Sequence, residues 1–241
     1  MPFPLAHPAA VLPLRRCCPR YLSFPALVIG SLCPDSGYLF HAGNFSHRFL
    51  AGSFGFCLPV GLVLVLVFYG VRRPVIGILP ASYRRLLLPL CQRPAGNPLL
   101  IVISLLIGVW VHELLDSITH PDDWLVKLLP VLLTPVLSVG QERFMVCEVL
   151  YAGCTFAGVA WLAHCYLRWL EKSADPSVPC MRGLKWGCAI LLASFILLVA
   201  IGFRRPHQVI GIIPAGIFAA LLVLGFFLIT GWVFSQSRKL E

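Results

Sequence analysis

The sequence predicts an all-α fold, a polytopic membrane helical bundle of about five transmembrane helices joined by short interfacial or re-entrant helices. Three observations predict it. The 241-residue chain is 59% hydrophobic and charged at only 12% of its residues, and its apolar residues gather into runs near the length that crosses a bilayer. A soluble domain of this size would carry about 25% charged residues. One integral membrane domain over 1–241 accounts for the length. Within it, 1–124 hold the metal-site half, 125–239 supply supporting helices, and Leu240-Glu241 reads as a vector remnant.

Taken in order, residues 1–35 are not an ordinary secretory signal. They lack a basic leading region, and Pro2, Pro4, Pro8 and Pro13 interrupt the apolar residues ahead of Arg15-Arg16. Pro8 suits the first position of a helix, which puts His7 at a helix N-terminus. The run Phe24 to Cys33 would rise only about 15 Å as a helix, so it is expected to lie interfacially or half-inserted. The first full span is expected over Phe54 to Val71, ended by Arg72-Arg73-Pro74. The stretch 72–97 carries five arginines and no acidic residue, which reads as a cytoplasmic loop. Leu99 to about Thr119 then travels outward. Lys127 to Gly140, cut by Pro130 and Pro135, is expected to be re-entrant or interfacial. Phe144 to Leu170, Trp186 to Phe203 and Val209 to Phe234 complete the spans. This order makes the chain a multi-pass protein of the cytoplasmic membrane, with Asp35, His47 and the polar end of the second long span on the outer face. Arg204-Arg205 on an outer turn fits that scheme poorly. The likeness of Arg72 to Ala81 and Arg204 to Ala215 is the kind of echo that duplicated hairpins leave, and no function follows from it.

The net charge of +9 fits attraction to a membrane surface and positive-inside orientation. Without a polybasic run interleaved with aromatics, it does not point to nucleic acid. Membrane lipid is the expected partner, as solvent and as a candidate substrate. The ten cysteines form no C-x-x-C pair, and those within apolar spans behave as small hydrophobes.

The chemistry concentrates in Pro98 to Trp124. An apolar run ends in His112-Glu-Leu-Leu-Asp116-Ser-Ile-Thr-His120. If the helix continues, His112, Asp116 and His120 drift only about 40° per step along one stripe. Imidazoles and a carboxylate on one stripe suit a divalent metal, and ionisable groups at a membrane helix end are costly without such a use. The residues placed on the same face give the candidate ligand set His7, Asp35, His47, His112, Asp116 and His120. That set suits one ion or two, with Asp116 bridging, and imidazole favours zinc. His41 competes with His47 for its role. His164 and His207 read as isolated, satisfied histidines. Glu113 lies about 100° off the stripe and is assigned to solvent or helix packing. Asp122 and Asp123 are expected to cap or hydrate the loop, Arg48 could pair with a phosphate, and Trp124 reads as an interface anchor.

The segments Phe3-x3-His7-Pro-Ala-Ala-Val-Leu-Pro13, Leu27-Val-Ile-Gly-Ser31 with Pro34-Asp35, Phe45-Ser-His47-Arg48 and His112-x3-Asp116-x2-Thr119-His120 resemble a family of uncharacterised bacterial polytopic membrane proteins. That family is similar to the membrane-bound metal-dependent hydrolases, and more distantly to the zinc-dependent phospholipase C and fungal zinc nuclease superfamily. The resemblance covers residues 3–124. It implies that Asp35, His47, His112 and Asp116 surround one zinc, that Asp116 and His7 reach a second, and that His120 belongs to the outer part of the cluster. Asp35 would double as the catalytic general base. In two respects the chain departs from the phospholipase pattern: Met1 stands where that pattern has a tryptophan ligand, and no His-x3-Glu follows His120. The resemblance therefore implies one or two zinc ions rather than three. It leads us to expect a membrane-embedded hydrolase that cleaves a phosphoester, plausibly of a lipid headgroup. The alternative from another class is a non-catalytic metal-binding membrane protein or a metal transporter.

Overall fold

The computed structural model describes residues 6–18, 20–37, 43–78, 81–139 and 142–172. In chain order these form α1 (His7–Val11), a 3-10 turn Leu12–Cys17, α2 (Phe24–Ser36), α3 (Gly43–Ser46), α4 (Phe49–Gly52), a π-helical turn Ser53–Cys57, α5 (Leu58–Ile78), α6 (Ala81–Cys91) and α7 (Pro98–Thr119). After them come α8 (Trp124–Leu128), a 3-10 turn Pro130–Leu133, strands β1 (Pro135–Val139) and β2 (Glu142–Met145), and α9 (Val146–Lys172). The protein is mostly helical. Three helices are long and apolar enough to cross a membrane: Phe49–Ile78, Pro98–Thr119 and Val146–Tyr166. The two later spans expected at 186–203 and 209–234, and His41, lie outside the described residues.

The chain divides into two compact units, 1–70 with 94–162 and 71–93 with 163–241. In the first, α7 is the central element. Asn97 caps its N-terminus by accepting from the Leu99 amide at 2.9 Å, and Pro98 occupies an early position where a missing N–H costs nothing. Thr119 is the last helical residue. His120, preceding Pro121, turns to φ −111° and ψ 127°, because a proline ring excludes the helical conformation of the residue before it. The helix thus stops one residue short of the third position of the expected stripe.

α2 packs along α7, and two glycines set how close they come. A β-carbon on Gly30 would collide with the Leu105 carbonyl, and one on Gly108 with the Leu27 carbonyl. Only backbone-to-backbone contact fits here. The Ser23 amide donates to Ser104 Oγ at 2.7 Å and fastens the start of α2 to α7. Buried Ala26, Val65, Ile101 and Leu105 fill one part of the core, and Cys33, Cys57 and Val109 another. α2 has 13 residues, too short to span alone, as its sequence implied. It leans on α7 instead.

The segment expected to be re-entrant or interfacial is helical only briefly. Pro130 and Pro135 break helical hydrogen bonding, so α8 lasts five residues and the chain enters an antiparallel hairpin. Leu137 pairs with Phe144 and Ser138 with Arg143. This hairpin departs from an all-helical fold, and it delays the next long helix to Val146.

The described part of the second unit holds the C-terminal turns of α5, then α6, and the last turns of α9. Contrary to the expectation that Arg72-Arg73-Pro74 ends a span, α5 continues through them to Ile78. The residue four before Pro74 is Gly70, which has no side chain to crowd the proline ring. The Arg72 guanidinium donates to the Arg93 carbonyl at 2.6 Å. Most of the stretch expected as loop is helix.

Candidate metal centre

Asp116 is the hub of the cluster. It projects from the last turn of α7, buried, and four imidazoles surround it. Its Oδ2 stands 3.2 Å from His112 Nε2 and 3.8 Å from His47 Nδ1, and its Oδ1 stands 3.8 Å from His7 Nε2 and 3.9 Å from His120 Nδ1. Asp35, from the end of α2, adds a carboxylate 3.8 Å from His112 Nε2. Each element has a local reason to deliver its residue. His7 opens α1 ahead of Pro8, Asp35 follows Pro34 in the final turn of α2, and His47 occupies the bend between α3 and α4. His112 precedes Asp116 by one helical turn.

His112 is fully buried and held on two sides. Its Nδ1 lies 2.8 Å from the Ser31 carbonyl, so Nδ1 carries the proton and Nε2 faces the two carboxylates. The His7 ring stacks on it at 3.8 Å, only 16° from parallel. Burial above all, then the neighbouring His112, lowers the His7 pKa to about 3, which leaves that ring neutral at pH 7. Burial pushes the Asp35 carboxyl up to about 6. His120 is also held below its ordinary value by burial. Its side chain, 27% exposed, and that of His47, 19% exposed, form the open side of the cluster.

Whether these residues fit a metal can be asked of their unsatisfied atoms. Among the described residues, Asp35 Oδ1 and Oδ2 and Asp116 Oδ1 are buried without a hydrogen bond. Such atoms are expensive unless something cationic serves them. Two donors about 2.1 Å from a common ion at a tetrahedral angle stand roughly 3.4 Å apart. The separations from 3.2 to 3.8 Å among His7, Asp35, His47, His112 and Asp116 bracket that value and are mostly too long for hydrogen bonds. Two triads have ligand atoms that all lie within 4.8 Å of one another: His7, Asp35 and His112, and His47, His112 and Asp116. They share His112, which has one nitrogen to give. The donor set fits a divalent cation.

The structure brings five of the six expected residues into these triads. His120 sits at the rim, its Nδ1 3.1 Å from the Asp116 carbonyl, because the helix ends before it. Glu113 needs a correction. Its place off the stripe assigns it to solvent or packing, yet its side chain is 10% exposed and its Oε1 lies 3.4 Å from His47 Nδ1. A single-helix stripe cannot reveal a partner that arrives from another element. Tyr151 escapes sequence reasoning altogether: its ring meets His120 edge-on at 6.3 Å, and no sequence signal distinguishes it from an ordinary α9 aromatic. Asp123 caps α8 through the Trp124 amide, and Arg48 and Trp124 are exposed.

A family model described as a domain of unknown function, DUF4184, matches residues 1–235. The chain belongs to the DUF4184 family. No curated protein and no solved structure matches it. The match places both the helices of the cluster and the later part of the DUF4184 chain inside one family unit.

Proposed function

We propose that this protein is a membrane-embedded, metal-dependent hydrolase that cleaves a phosphoester, with a lipid headgroup as its substrate and the outer face of the cytoplasmic membrane as its place of work. The observation that carries the reading is the convergence of His7, Asp35, His47, His112 and Asp116, from separate segments, at one end of a 22-residue apolar helix. A cluster at a helix end meets the headgroup layer rather than the acyl chains.

Asp35, His47, His112 and Asp116 would hold one zinc, and Asp116 with His7 would reach a second, with His120 in the outer part of the cluster. A bound divalent ion supplies Lewis acidity, lowering the pKa of water from ~15.7 towards ~7 and offsetting charge on phosphoryl oxygens. The protein's residues do the rest. The Asp35 carboxyl, raised by burial, is suited to take a proton from the attacking water near neutral pH. The Ser31 carbonyl keeps His112 in one tautomer. Exposed Arg48, next to His47, is suited to a phosphate entering from the open side.

A second reading, a metal that staples helices without catalysis, draws support from burial. His7 and His112 are 1% and 0% exposed, and closed sites are commonly structural. One experiment separates the two. Purified protein in phospholipid nanodiscs is assayed for zinc content and for release of phosphorylated headgroup. Hydrolysis that is lost on chelation and in Asp35→Asn supports the hydrolase. Bound zinc without headgroup release from any common phospholipid supports the staple, and absence of zinc defeats both.

A further inference from the structure

α9, whose sequence reads as a supporting helix, presents one face to the metal centre. Tyr151, Thr155 and Gly158 recur at i, i+4 and i+7, which puts them on a single side. Thr155 is buried. A β-carbon on Gly158 would stand 3.0 Å from Ala6, the residue before His7. At the other end of that face the Tyr151 ring meets His120 edge-on, with centroids 6.3 Å apart and planes at 80°. His120 belongs to the open side of the cluster, so Tyr151 borders that side. The Tyr151 side chain is half-buried, and the charges of Asp116 and Asp35 reach its hydroxyl. That hydroxyl makes no hydrogen bond among the described residues and is not sealed from solvent.

We propose that Tyr151 binds substrate at this centre: from its seat against His120, its phenol donates a hydrogen bond to an oxygen of a phosphate group drawn to the cation. The proposal rests on the metal-centre reading and adds to it a contact from α9. A phosphate presents more oxygens than one cation takes up, and those left over need donors. A phenol keeps its proton at neutral pH, and its hydrogen bond to an anionic oxygen is of the short, charge-assisted kind. Neutrality matters at this place. A lysine here would be drawn to Asp116 and Asp35, whereas an uncharged phenol leaves those carboxylates to the cation and turns to the incoming anion. Exposed Arg48 attracts that anion by charge, and Tyr151 fixes one of its oxygens. A lipid headgroup and free phosphate share this chemistry.

The test uses the full chain, loaded with zinc, in maltoside micelles, which bring no phosphate of their own. Two probes are titrated by calorimetry: inorganic phosphate and a short-chain phosphonolipid, which resists hydrolysis. Tyr151→Phe keeps the ring against His120 and loses only the hydroxyl. It is expected to weaken the tighter-binding probe about 10–100-fold. Zinc affinity, by chelator competition, should stay within about twofold of wild type. Tighter binding of the phosphonolipid marks a lipid source, and tighter binding of inorganic phosphate a free one; a loss of that affinity in the variant supports the proposal in either case. Wild-type affinity for both probes in Tyr151→Phe would overturn it. So would a zinc affinity that falls in step, which would make the hydroxyl serve the cation, or probe binding that survives chelation, which would put the phosphate elsewhere. Probe binding that needs Tyr151, without headgroup release from any phospholipid, would defeat the hydrolase and support the contact. Zinc binding without affinity for either probe would overturn the contact and leave the metal centre standing.

Discussion

Asp116 touches His7, His47, His112 and His120, so at the scale of single residues its removal should be felt more than that of any one imidazole. Asp116→Asn keeps the volume and loses the charge that opposes a cation. It is expected to lower zinc affinity by at least about 100-fold, more than His7→Ala or His47→Ala, as read by chelator competition. Asp35 differs, because its carboxylate is buried with neither oxygen hydrogen-bonded among the described residues. In metal-free protein that is a cost. Asp35→Asn should therefore leave the metal-free melting temperature unlowered, yet abolish the rise that zinc gives the wild type. That rise corresponds to about 2.7 kcal/mol at a hundredfold excess over the dissociation constant.

At the scale of elements, the α2–α7 crossing sets the position of the Ser31 carbonyl against His112 Nδ1, and Gly30 and Gly108 set the crossing. Gly108→Ala places a methyl where the Leu27 carbonyl and the Ser31 amide already stand. It is expected to cost about 1–3 kcal/mol and to weaken zinc binding with it, as the helices separate. Gly77→Ala is the contrasting case, since among the described residues nothing lies within 4 Å of a β-carbon there. It should be neutral or gain about 0.5–1 kcal/mol, as melting in nanodiscs would show. The same elements explain what can be read from the sequence. Long apolar runs announce helices at 98–119 and 146–166 through composition alone, and His112 with Asp116 announce each other through one turn of helix. His120 fails as the third member of the stripe because Pro121 ends the helix before it. The persistence of α5 past Arg72-Arg73-Pro74 is hidden because arginines and a proline usually mark an end, whereas long arginine stems can lie along a helix. Glu113 and Tyr151 are illegible for another reason: their partners, His47 and His120, reach them by tertiary routes that no local periodicity encodes.

At the scale of the whole molecule, the reading depends on which face of the membrane the cluster occupies. By the positive-inside rule the arginines of 72–97 are expected on the cytoplasmic side, and one span on, the end of α7 that bears Asp116 is then expected to face outward. The exposed Cys17, in the turn after α1, shares a face with His7 in this scheme. A membrane-impermeant maleimide added to intact cells should label wild type more than Cys17→Ser. Equal labelling would place the N-terminal segment inside. Orientation bears on the substrate, but the grip on a cation comes first, and zinc K-edge absorption of the zinc-loaded protein tests it most directly. The expected first shell is nitrogen and oxygen at about 2.0–2.2 Å, with scattering from at least two imidazoles. Sulfur at about 2.3 Å, from any of the ten cysteines, or no retained zinc at all, would contradict a centre built on Asp116 and its histidines.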